Sequence, residues 1–142
     1  MLNDFAAWLA HHGLKEIFTT NAGDSLYVNK EQGFGVIRKK GEYGTHSFYL
    51  DDIVGFQTYD DENLIINWSC TSSWTVSQRS TRYSTNEVFM KIRFKDQTIL
   101  KLQIFHGIHG NITRNTSEHI NLLNYACRIS QVILNCATGG QV

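Results

Sequence analysis

Residues Tyr49–Trp68 read YLDDIVGFQTYDDENLIINW, two acidic pairs separated by an apolar, aromatic-rich run. Val54, Phe56 and Thr58 alternate with Ile53, Gln57 and Tyr59, and Leu64, Ile66 and Trp68 resume the alternation after the second pair. A period of two is that of a strand. The pairs therefore read as boundaries: Asp51-Asp52 turns the chain into a strand, and Asp60-Asp61-Glu62-Asn63 turns it out again. Asp52 is expected to accept a backbone N–H in the entry turn, with Asp51 more exposed. Adjacent side chains on a strand point to opposite faces, so neither pair gives two ligands to one ion unless a turn redirects it. DDEN also lacks the alternating register and distal glutamate of an EF-hand loop.

Working outward, the same period recurs. A short strand is expected around Leu26–Val28; Phe34, Val36 and Arg38 share one face of the next, and His46, Phe48 and Leu50 one face of a third. Connections this short impose antiparallel hairpins. In VFMKIRFK, Val88, Met90, Ile92 and Phe94 point one way, and Phe89, Lys91, Arg93 and Lys95 the other. Asp96-Gln97 makes a tight turn, and Leu100, Leu102 and Ile104 return on the partner strand. Cys70–Asn86, rich in Ser and Thr but holding Trp74, Val76 and Tyr83, reads as an irregular or exposed hairpin.

Two helices flank the strands. Phe5–Leu14 is short and amphipathic, with Asn3 or Asp4 as cap and Gly13 as stop. The second starts at Asn115, with Glu118 three residues on as in a capping box, and ends near Cys136 before Gly139-Gly140. Leu122, Ala126, Ile129 and Ile133, reinforced by Leu123, Cys127 and Leu134, form its buried side. The fold expected is α+β: an antiparallel partial barrel or two packed sheets closed by a C-terminal helix, with a short N-terminal helix. It is one domain over 1–142, with a helix and turn in 1–24, the core in 25–136 and a tail in 137–142.

YLDDIVGFQTYDDENLI, followed by VFMKIRFKDQTILKLQIF and the helical stretch Glu118–Asn135, resembles small bacterial and prophage proteins of uncharacterised function that carry a pleckstrin-homology-like domain. In these a strand enters through an xLxDIVxFE-like motif, an ENGxxI-like turn follows, and a strand pair and helix end the domain. The resemblance covers roughly Ser25–Asn135 and implies the fold. Its eukaryotic members bind phosphoinositides or peptides, but fold similarity does not carry function across. Where members often have a glycine-rich stretch, this chain has Cys70–Asn86, a candidate place for its own specificity.

At 142 residues the chain can bury a core, roughly 68% of its unfolded surface. Thirteen basic and 13 acidic side chains leave no overall pull toward nucleic acid or membrane, so only a local patch could supply one. The first residues make a poor signal peptide and no apolar run approaches a membrane span, so a cytoplasmic protein is expected. Cys70, Cys127 and Cys136, odd in number and without CxxC spacing, read as reduced structural thiols.

No catalytic signature emerges. There is no GxSxG elbow, no phosphate loop with its lysine, and no histidine base placed for Cys70. His106, His109 and His119 are of the type that binds zinc, but no ligand pattern demands it; solvated or hydrogen-bonded histidines are expected, with His119 in the exposed first turn of its helix. No cofactor is implied, and a metal-dependent enzyme is the least favoured reading. The leading reading is a non-enzymatic module that recognises an unknown protein through a sheet edge or the Trp74 loop. Trp74, Tyr83 and Phe89 would supply contact area, and Arg79, Arg82 and Arg93 directional contacts. The alternative is binding of anionic lipid headgroups or nucleic acid by the basic face of Lys91, Arg93, Lys95 and Lys101. A sheet edge would also suit homo-oligomerisation.

Overall fold

A computed structural model describes residues 2–70, 72–76, 83–107 and 110–139, with residues 2, 3 and 72–76 described as backbone only. Helix α1 (Leu2–His11) precedes β1 (Lys15–Thr19), β2 (Ser25–Asn29), β3 (Phe34–Arg38) and β4 (His46–Tyr49), which form one antiparallel sheet in that order. A single 3-10 turn, Leu50–Asp52, carries the chain to β5 (Ile53–Asp60) and β6 (Asn63–Ser69). With β7 (Ser72–Val76), β9 (Glu87–Phe94) and β10 (Ile99–His106) these build a second sheet, ordered β10-β9-β5-β6-β7. Strands β8 (Ser84–Thr85) and β11 (Ile112–Thr113) pair with each other, and helix α2 (Ser117–Thr138) ends the fold. The expected α+β architecture holds: two antiparallel sheets pack against a C-terminal helix, and neither closes into a barrel.

The inner faces of both sheets and one stripe of α2 share a core. Leu26, Val28 and Ile37 from the first sheet meet Phe56, Ile66, Met90, Ile92 and Leu102 from the second. Leu122, Ala126, Ile129, Ile133 and Cys136, at alternating helical spacings of four and three, complete it. Each large aliphatic side chain taken fully from water contributes roughly 1.5–3 kcal/mol. Burial pushes the Cys136 thiol up to about 11, against a smaller opposing pull from Lys30, so it stays protonated at neutral pH. None of the three cysteines is bonded to another, but Cys70 is exposed and does not serve as a buried hydrophobe.

Helix α1 lies on the outer face of the first sheet. Phe5 and Leu9 pack on Leu14, Tyr27 and Val36, and the Arg38 guanidinium stands 4.3 Å over the Phe5 ring. All five residues of β2 are consequently buried.

Several local expectations need correction. Helix α1 begins at Leu2 and ends at His11, so Asp4 sits in its first turn and neither Asn3 nor Asp4 precedes it as a cap. Strand β1 falls within the segment expected to hold only helix and turn; a bulge between Glu16 and Phe18 breaks its alternation, leaving Ile17 and Phe18 both half-buried. Thr116, not Asn115, caps α2: its Oγ1 accepts the His119 N–H at 3.2 Å while Asn115 takes a left-handed φ of 65°. Asn tolerates that conformation better than most residues, which lets it form the bend and hand the cap to its neighbour. The helix runs to Thr138, where Gly139 at φ 76° stops it.

The two sheets are tied at one side by a polar knot. Thr20 Oγ1 donates to Gln103 O at 2.6 Å, and the Asp24 carboxylate accepts Gln103 N–H at 2.8 Å, Lys40 N–H at 3.0 Å and Lys39 Nζ at 2.9 Å. Asp24 is 3% exposed, so its charge is matched by Lys39 and its oxygens by backbone donors. The knot also covers the outer edge of β10.

Candidate functional site

On the other side the sheets part. Between β4 and the turn joining β9 to β10 lies a cleft of ≈ 850 Å³. Its apolar floor is Phe34, Phe48, Phe94 and Leu100, with the Phe48 and Phe94 rings 5.1 Å apart. Gly35 makes that floor possible. It pairs with Phe48, and a Cβ there would meet the Phe48 ring at 3.0 Å, so the missing side chain lets the ring lie across β3. His12, His46, Tyr49, Asp52, Lys95 and Asp96 form a rim of mixed charge. Asp52 and Lys95 stand 4.0 Å apart, and hydrogen bonds from Thr98, its hydroxyl first and then its N–H, hold the Asp96 carboxyl below the ordinary carboxylate range.

Strand β4 borders the cleft as a sheet edge. Leu50 N–H donates to Gly33 O at 2.9 Å, so by the strand period the main-chain groups of Phe48 and His46 turn toward β3, and those of Ser47 and Tyr49 turn away. Among the described residues no strand pairs with that outer side. The other edge of the same sheet is blunted: β1 is bulged, and Tyr125 Oη donates to Thr19 O at 3.4 Å.

The sequence-predicted residues scatter. Lys95 reaches the cleft; Phe89 and Lys91 line a smaller hollow on the opposite, outer face of the second sheet with Tyr59. There the Phe89 ring is buried, stacked on Tyr59 at 5.2 Å and covered by Lys101 Nζ at 4.2 Å. Lys101 also lies 3.7 Å from Glu87, and Lys91 stands 5.5 Å over the Tyr59 ring. Arg93 is exposed and lies against Gly55, whose added Cβ would come within 3.0 Å of its Nη2. Tyr83 is fully exposed. Trp74 lies on β7, described as backbone only, and Arg79 and Arg82 lie outside the described residues. Of the three histidines, His106 is exposed at the end of β10 and His109 lies outside the described residues.

His119 is not exposed, contrary to expectation, and Asp60 is not a mere boundary. The buried Asp60 carboxylate receives Thr85 Oγ1 at 2.8 Å, Arg114 Nη2 at 3.1 Å, Arg114 Nη1 at 3.0 Å and His119 Nε2 at 3.1 Å. Asp61, at φ 55°, turns its carboxylate back to Arg114 Nη2 at 3.3 Å and to the Asn86 and Glu87 N–H groups. Arg114 Nε donates to Ser84 O at 3.3 Å. The chain's own guanidinium thus stands between the two carboxylates, where a bound cation would otherwise be needed. Among the described residues no group of three metal-ligating side chains is free to hold an ion.

The cluster bonds the end of β5 to β8, the segment after β11 and the first turn of α2. It is a tie, whereas the cleft lies open at the surface. No described helix is long and apolar enough to cross a membrane. Compared with family models, with curated proteins and with solved structures, the chain matches none.

Proposed function

We propose that this chain is a non-enzymatic protein-interaction module that takes an extended segment of a partner polypeptide along the outer edge of β4. The observation that carries the reading is the pairing of an uncovered strand edge with the aromatic floor of Phe34, Phe48 and Phe94 beside it. Main-chain bonds to Ser47 and Tyr49 would supply affinity, and alternate side chains of the partner, dropping into the cleft, specificity. Of the two contacts expected, a sheet edge or the Trp74 loop, this takes the sheet edge, and the two-sheet, helix-closed architecture supports the pleckstrin-homology-like resemblance as part of the same proposal. Binding of anionic lipid or nucleic acid by the basic face has less support, because Lys101 is engaged by Glu87 and Phe89, and Lys91 by Tyr59.

The test is cross-linking from the native cell with a photoreactive side chain at position 49, followed by binding measurements on the polypeptide recovered. Ser47→Pro removes one outward N–H on an edge strand where proline is tolerated, and should weaken binding at least tenfold. Lys91→Glu, on the opposite face, should leave it unchanged. Binding that survives Ser47→Pro and fails with Lys91→Glu would overturn the reading in favour of the basic face.

A further inference from the structure

The buried cluster around Asp60 carries a second inference, independent of the β4 edge. Asp60, Asp61 and Arg114 together carry one formal net negative charge, and the hydrogen bonds around His119 fit a neutral ring. Its Nδ1 receives the Asn115 N–H at 3.2 Å and so presents a lone pair; the ring proton is then on Nε2, directed at Asp60 Oδ2 3.1 Å away. A second proton has only Nδ1 to occupy. Adding it would bring the cluster to zero net charge, and would also remove the acceptor that holds the Asn115 amide.

Asn115 is the bend between β11 and α2, at a left-handed φ of 65°. Its N–H faces the ring; once Nδ1 carries hydrogen, two donors oppose each other and the bend must turn. The groups facing the imidazole fix the balance. From β5 and its turn come the carboxylates of Asp60 and, beyond the guanidinium, Asp61, which attract a proton; the Arg114 guanidinium repels one. Thr85 donates its hydroxyl to Asp60 and is uncharged. On the ring's own helix Thr116 Oγ1 holds the His119 N–H, and Glu118 is exposed. Nothing else in the cluster depends on Nδ1, so Asp60, Thr85 and Arg114 keep their bonds when the bend lets go.

We propose that His119 is a proton-operated joint: uptake of one proton at Nδ1 in acid releases the Asn115 amide and loosens the β11–α2 bend while the rest of the Asp60 cluster stays closed. The step forms one N–H bond from a solvent proton and breaks one hydrogen bond, with no other change.

Nitrogen NMR of the His119 ring, followed against pH with amide protection factors, tests this on the whole chain. At neutral pH the ring should carry its single proton on Nε2. As the ring titrates, protection of the Asn115 amide should fall at least tenfold, while the Ile120 amide, bonded to Thr116 O, and the core amide of Met90 keep theirs. In His119→Gln the pH step at Asn115 should vanish; should that variant not fold, the correlation in the unaltered chain decides alone. A ring proton on Nδ1, a ring already charged at neutral pH, or Asn115 protection lost only together with Met90 would overturn the proposal.

Discussion

The two acidic pairs that bracket β5 have the same sequence and opposite fates. Asp51-Asp52 sits in a 3-10 turn at the rim of the cleft, with the Asp52 side chain 44% exposed and its nearest cation 4.0 Å away. Asp60-Asp61 lies beneath β8, Arg114 and the start of α2, and the Asp60 side chain is 2% exposed with two guanidinium nitrogens, one ring nitrogen and a hydroxyl on it. The difference does not lie in the pairs. It lies in what later chain does with their side chains: Lys95 comes within 4.0 Å of Asp52 and leaves it at the surface, whereas residues 85, 114 and 119 close over Asp60. A carboxylate is a boundary mark or a structural centre according to donors that arrive from far along the sequence.

Substitution can break or sharpen that contrast. Asp60→Asn should do most, because it removes the principal counter-charge of a buried guanidinium; breaking such a pair costs about 3–5 kcal/mol, read as a lower urea midpoint at unchanged slope. Asp61→Ala should cost about 1–3 kcal/mol by the same measurement, since it strands the Asn86 and Glu87 amides and places a less tolerant residue at φ 55°. Asp52→Ala should move stability by no more than about 0.5 kcal/mol, an exposed pair at 4.0 Å being screened by solvent. Equal costs for Asp52→Ala and Asp60→Asn would erase the comparison.

What could be read from the sequence follows the range of the signal. Strands β3, β5, β6, β9 and β10 and the stripe of α2 declare themselves through alternation or helical spacing, because burial on one face acts residue by residue. Strand β1 escaped because its bulge spoils the period over only five residues. The cap of α2 slipped by one because Asn115 and Thr116 are both good cap residues, and only the left-handed backbone at Asn115 separates them. The Asp60 cluster had no local pattern at all, since its members come from four elements. The one clue was Arg114, the only Lys or Arg between Lys101 and Arg128, set in a polar stretch. The cleft was equally hidden: it depends on Gly35 falling opposite Phe48 in the register of two strands.

The knot between Thr20 and Gln103 joins positions 83 apart in the chain. Contacts of that span carry a loop-closure cost that nearer pairings do not, and they form late. During synthesis Thr20 precedes Gln103 by those 83 residues, and at ordinary elongation rates the wait is roughly 4–17 s. Throughout that interval Thr20 and Asp24 have only water for the bonds that β10 will supply. The first sheet is therefore made early and tied only once β10 has emerged, and on the nascent chain it stands open to a wrong strand partner until the second sheet closes the knot.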